Sequence, residues 1–148
     1  MKNIGRIVLP IIILLLTVRI NAVPVKAFDM IVRNLPNSEQ LPTKELLCIF
    51  QDSEGYMWYG TEGGGLCRDD GYMVKVFRSD FKNPGVLENN SVTCITEDGE
   101  GKIWFGTKRG VYILSKTDYE IRALADETIK GWTITTMTAT SDGMIWIS

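Results

Sequence analysis

From residue 46 onward the chain sets short apolar runs between clusters of glycine and acidic residues. Residues 47–51 read as an apolar strand, and Asp52-Ser53-Glu54-Gly55 as a turn in which the glycine can adopt positive φ. A second, aromatic strand follows over residues 56–61, then the loop Glu62-Gly63-Gly64 and a third strand over 65–68. Asp69-Asp70-Gly71 signals a hairpin leading to a fourth strand over 72–77. After a long link, residues 78–90, four more strands are expected at 92–97, 102–107, 110–114 and 119–124.

The second set repeats the first. Cys48-Ile49-Phe50-Gln51-Asp52 through Trp58-Tyr59-Gly60-Thr61 returns as Cys94-Ile95-Thr96-Glu97-Asp98 through Trp104-Phe105-Gly106-Thr107. A third copy starts at Thr136-Met137 and keeps Gly143 and Trp146, with Thr140 at the aspartate position and Ser148 at the glycine position. The tryptophans are 46 and 42 residues apart. Short strands recurring at such a period predict an all-β propeller: two four-stranded antiparallel blades and a third that is truncated.

Side-chain alternation supports this. Trp58 and Gly60 face one side of their strand and Met57, Tyr59 and Thr61 the other, so neither face is polar. A blade packed between two neighbours needs apolar residues on both faces. The tryptophans are therefore read as packing residues, not ligand contacts.

The N-terminus has a different pattern. Lys2 and Arg6 precede an apolar run over residues 7–18, followed by Ala22. Twelve residues are too few for a spanning helix, which needs roughly 20. A basic start, a short apolar centre and a small residue predict a signal peptide over 1–22, with Ala27 as the alternative cleavage point. A leading strand and linker are expected over 23–45, blade 1 over 46–90, blade 2 over 91–132 and the start of blade 3 over 133–148. The segment at 28–35 is expected to complete the last blade of a closed ring.

Net charge is −2 over 148 residues, so nothing favours nucleic acid or an anionic membrane as a partner of this region. The absence of histidine excludes Ser-His-Asp catalysis and histidine-ligated metal within these residues. The acidic turns hold too few oxygen ligands in fixed order for a calcium loop, so no cofactor or metal is expected. Cys48, Cys67 and Cys94 are an odd number for an exported chain, and either one disulfide or three buried thiols would satisfy it. Because Cys48 and Cys94 occupy the same position in successive blades, free thiols are expected.

The residues Ile49, Asp52, Gly55, Trp58, Gly60, Thr61 and Leu66, and then Ile95, Asp98, Gly101, Trp104, Gly106, Thr107, Gly110 and Val111, resemble the two-component-regulator propeller repeat. That repeat is found in the periplasmic sensor region of hybrid two-component systems of glycan-degrading gut bacteria. The resemblance implies a periplasmic ectodomain of an inner-membrane protein that detects an oligosaccharide and signals to a histidine kinase. It also implies further blades of the same chain and a homodimer at full length. No catalytic residue is expected in this region. An exported propeller acting as a protein-binding scaffold, or as an enzyme, is the alternative.

Strand direction alternates within a blade, so the loop between its second and third strands opens at the same end as the link between blades. That end gathers Glu62, Lys108, Arg109 and Trp132, the candidate ligand-binding residues. Arg109 offers a planar fork of donors, and Trp132 a ring face for a sugar. The opposite end, around Gly55, Gly101 and Gly143, is expected to carry tight turns of little reach.

Overall fold

Among the described residues, glycine- and aspartate-bearing turns cut the apolar runs into ten short strands, all paired antiparallel. The computed structural model describes residues 34–81 and 85–148, and the expected signal peptide and most of the leading strand lie outside them. A 3-10 turn at Ser38–Gln40 precedes the sheets. Strands β1 (Leu46–Gln51), β2 (Met57–Thr61), β3 (Gly65–Asp69) and β4 (Val74–Phe77) form one meander in that order. Strands β5 (Val92–Glu97), β6 (Ile103–Thr107), β7 (Gly110–Leu114) and β8 (Ile121–Ala123) form the second. Strands β9 (Met137–Ala139) and β10 (Ile145–Ile147) pair as a third, two-stranded sheet. This is the expected all-β architecture of two propeller blades and two strands of a third.

Strand starts differ from the sequence reading for a common reason: a turn carboxylate captures the backbone N–H groups that would have begun the strand. Asp70 Oδ1 accepts from the N–H groups of Tyr72 and Met73, both at 2.9 Å, so β4 begins at Val74. Asp52 Oδ1 takes Tyr56 N–H at 2.9 Å, and Asp98 Oδ1 takes Lys102 N–H at 2.9 Å, so β2 and β6 each start one residue late. Tyr119 sits at φ 61°, inside the turn, and β8 shortens to three residues.

The two blades share register. Cys48 pairs with Gly60 and Cys94 with Gly106, and each inner strand has an irregularity just before its cysteine. Thr61 and Thr107 are fully buried, and their hydroxyls donate to the carbonyls of Gly65 (2.7 Å) and Gly110 (3.1 Å) across the β2–β3 and β6–β7 loops. The glycine of each Gly-Thr pair makes room for the next blade. A Cβ on Gly60 would lie 2.4 Å from Cys48 Sγ and 2.6 Å from the carbonyl oxygen of Val92 on β5. On Gly106 it would lie 2.6 Å from Cγ2 of Ile134.

We expect Gly60→Ala to cost about 2 kcal/mol through overpacking, read as a lower urea midpoint at unchanged m-value. Gly106→Ala should cost a similar amount, because its obstacle on the neighbouring blade includes the Cβ of buried Ile134 at 2.7 Å, which moves only with its backbone. Equal midpoints for Gly60→Ala and the parent would refute the close approach.

The main core lies between the first two blades: Trp58, Leu66 and Phe77 from blade 1 against Val92, Ile95, Phe105 and Leu114 from blade 2, with Leu87 from the link. A smaller cluster of Cys94, Val111, Ile134 and Met137 joins blade 2 to β9. All three cysteines are free, and burial pushes the Cys48 and Cys67 thiols up to about 12. Before β1, Gln40 lays its amide along the rim of blade 1: Oε1 accepts from Val74 N–H (2.9 Å) and Nε2 donates to the Tyr72 carbonyl (3.3 Å). Asn37 adds a bond to Asp69 Oδ1 at 3.0 Å. These contacts cover the start of the outer edge of β4, whose other edge pairs with β3.

Candidate ligand site at the loop end

Alternating strand direction places the β2–β3 loop, the β6–β7 turn, the blade link and residues 130–133 at one end of the blades. The backbone ties them together. Gly65 N–H donates to the Asn90 carbonyl (2.8 Å), Lys108 N–H to Ser91 (3.2 Å) and Gly110 N–H to Trp132 (2.8 Å). Thr133 Oγ1 donates to the Lys108 carbonyl at 3.1 Å.

Of the four candidate residues, two meet directly. Lys108 Nζ lies 2.6 Å from Glu62 Oε1, an ion pair joining blade 2 to blade 1 across 46 positions of sequence. The Lys108 hydrogen bond holds the Glu62 carboxyl below its ordinary range. Arg109 is exposed, its backbone fixed by the Thr107 hydroxyl at 3.0 Å. It borders a shallow cleft of about 190 Å³ with Glu88, Tyr112, Asp126 and Lys130. Trp132 is 58% exposed and lies outside this cleft. The end therefore offers a paired charge, an exposed guanidinium and an open indole, but the structure does not bring all four into one pocket.

The opposite end carries the tight turns expected from sequence, the N–H groups of Gly55, Gly101 and Gly143 each donating to the carbonyl three residues before at 3.0 Å. A cleft of about 570 Å³ opens there between blade 2 and the β9–β10 turn, lined by Asp98, Glu100, Trp104, Ile113 and Gly143 among others.

Sequence reasoning also missed what the turn aspartates do. Asp52 Oδ1 accepts from the N–H groups of Glu54 (3.0 Å) and Tyr56 (2.9 Å), while Oδ2 accepts from the Trp58 indole at 2.8 Å. Asp98 repeats this with Glu100, Lys102 and the Trp104 indole (2.7 Å). One carboxylate thus closes the turn and anchors the packing tryptophan six residues on. The spacing, present in both copies, was the available signal. In the third copy Thr140 takes that place, bonding instead to Asp142 and the Met144 carbonyl, and Trp146 is 65% exposed.

A second missed feature clasps the blades at this end. Lys116, in the β7–β8 turn, reaches Glu97 Oε1 (2.7 Å), Glu54 Oε1 (2.9 Å) and Asp52 Oδ2 (3.7 Å). Glu97 in turn accepts from the backbone N–H (2.7 Å) and hydroxyl (2.8 Å) of Ser53. Burial alone would lower the Lys116 ammonium, but the bonds to Glu97 and Glu54 and the Asp52 charge outweigh it and hold it above the usual lysine range. Burial likewise acts to raise Glu97, and its bonds to Lys116 and Ser53 bring it below the usual carboxylate range. Among the described residues no cluster of acidic or cysteine side chains could hold a metal.

The family model described as two component regulator propeller matches residues 40–63 and 86–109, the first two strands and following loop of each blade. No curated protein matches the chain. Among solved structures, the extracellular domain of a Bacteroides thetaiotaomicron protein assigned to the hybrid two-component systems is similar, at 23% identity and a TM-score of 0.64 over 80% of this chain. The extracellular domain of a second protein of that organism, assigned to the one-component systems, superposes at 21% identity and a TM-score of 0.62, also over 80% of this chain. Virginiamycin B lyase of Staphylococcus aureus matches at 22% identity and a TM-score of 0.56 over 73% of this chain and 36% of its own. The chain spans only 16% and 17% of the two Bacteroides domains. At these identities the likeness shows the fold. Two stretches of the chain, one in each of two adjacent four-stranded blades, thus match the two-component regulator propeller repeat.

Proposed function

We propose that this chain forms part of the periplasmic sensing propeller of a hybrid two-component sensor, and that it helps bind a glycan-derived oligosaccharide whose arrival is passed to a histidine kinase. The observation that carries this reading is the repeat itself, matched at 40–63 and 86–109 on a fold similar to extracellular domains of bacterial signalling proteins. The loop end supplies plausible chemistry: Lys108 and Glu62 fixed as a pair, Arg109 exposed with donors for hydroxyls, and Trp132 open for stacking on a sugar face. Exposed Leu47 and Ile49 on one side, and Trp146 on the other, are apolar faces suited to the remaining blades.

In the sensor that carries these blades, Arg109→Ala and Trp132→Ala should each weaken binding of the activating oligosaccharide about tenfold, as expected for loss of a charged hydrogen bond or a stacking surface. Calorimetric titration of a panel of plant-polysaccharide oligosaccharides would measure it. Unchanged affinity in correctly folded variants would remove this end of the blades from the ligand site.

The lyase neighbour motivates an enzymatic alternative. A histidine-to-alanine variant of that lyase is described as catalytically inactive, whereas this chain contains no histidine. That contrast favours a binding role over a lyase-like one for these residues.

A further inference from the structure

Blade 1 places two cations face to face. Arg68 on β3 and Lys75 on β4 are direct cross-strand partners. Like charges so placed destabilise a sheet. Neither forms an ion pair with a carboxylate among the described residues; Asp70 feels Arg68 only at longer range. Their support is aromatic instead. The Arg68 guanidinium lies 3.7 Å over the Tyr56 ring, and the Lys75 ammonium 3.4 Å over the ring of Tyr119 from blade 2. Tyr119 holds φ 61°, a left-handed conformation uncommon for a bulky residue, with its ring 5.6 Å from that of Phe77.

The fold does not require this arrangement. In blade 2 the corresponding partners are Ile113 and Arg122, and Arg122 is neutralised by Glu120 at 2.9 Å. Beside the blade 1 cations a cleft of about 480 Å³ runs between the outer strands of the two blades, lined by Lys75, Phe77, Arg78, Glu88, Tyr112 and Tyr119. Arg78 reaches Asp80 only at 3.7 Å and is about half exposed. Cations at the mouth, aromatic walls and a volume in the small-ligand range suit an anion joined to a ring.

We propose that this flank cleft binds an acidic sugar, its carboxylate held by Lys75 and Arg78 in the positive field of Arg68, its ring against Tyr119. The site is separate from the loop end. The choice of a sugar rests on the sensing reading above, whereas the anion site rests on the cleft and its cations, so loop-end variants test the former and cleft variants the latter.

The test is calorimetric titration of digalacturonate into this chain, with neutral galactobiose and inorganic sulfate as comparison probes. Digalacturonate is expected to bind more tightly than either, and less tightly as salt rises. Lys75→Met, which keeps the stem over Tyr119 and removes the charge, should weaken it about tenfold, as should Arg78→Ala. Lys102→Met, a surface cation elsewhere, should not. Circular dichroism and melting of each variant separate lost binding from lost folding, and Arg78→Ala decides the matter if Lys75→Met unfolds. Absence of digalacturonate binding overturns the proposal. So does binding equal to that of galactobiose or sulfate, or binding that folded Lys75→Met and Arg78→Ala variants leave intact.

Discussion

Trp58→Ala is expected to lower the free energy of unfolding by about 4 kcal/mol, within the range for deleting a buried aromatic ring, while Trp146→Ala should change it by less than about 0.5. The three tryptophans occupy one repeat position but differ in cover. Trp58 is fully buried between blades 1 and 2, its ring 6.1 Å from Phe77 and its N–H on Asp52. Trp104 keeps its aspartate but is covered only by the two strands of the third sheet and is partly buried. Trp146 is 65% exposed and has Thr140 where the others have aspartate. The cost should therefore fall in the order Trp58, Trp104, Trp146. Urea unfolding followed by far-UV circular dichroism, which does not depend on tryptophan emission, would rank them. Equal losses at all three positions would show that burial against the following blade does not govern them.

The second large effect concerns Lys116. Its side chain is 13% exposed and faces Glu97, Glu54 and Asp52, so Lys116→Met would leave the Glu97 and Asp52 carboxylates without their shared cation. Removing one partner of such a buried cluster costs about 3 kcal/mol near neutral pH. The pH dependence follows from the directions of the shifts. Glu97 is lowered in the folded state, so its contribution is present above its unfolded pKa, near 4.3, and is lost as pH falls through the lower folded value. Lys116 is raised, so its contribution is full below the ordinary lysine value, near 10.4, and is lost only as pH climbs past the higher folded value. The stability difference between parent and Lys116→Met should thus be flat through neutral pH and shrink below about pH 4. Urea midpoints at pH 7, 5 and 3 would test this, and a difference undiminished at pH 3 would mean that packing of the lysine stem, not its charge, holds the blades together.

Much of this architecture was legible in the one-dimensional pattern. Turn glycines, Asp-Gly hairpin signals and two-residue alternation act over a few neighbouring residues, so they located every strand of both blades to within two residues. The repeat of Trp-x-Gly-Thr stated that each blade must bury both faces, and Gly60 and Gly106 do meet the next blade as that pattern demands. The common end of Glu62 and Lys108 was also foreseeable from strand direction alone. Their pairing at 2.6 Å was not, because it depends on how far one blade is turned against the next. The same holds for Lys116, which stands in Ser115-Lys116-Thr117 like any solvated turn lysine and finds Asp52 and Glu54 more than sixty residues away in sequence. Arg68, Lys75 and Tyr119 are another such set, brought together across two blades. Backbone conformation and face polarity are local properties, which a sequence displays directly. Electrostatic partners and clefts depend on distances between segments, and those exist only once the blades have packed.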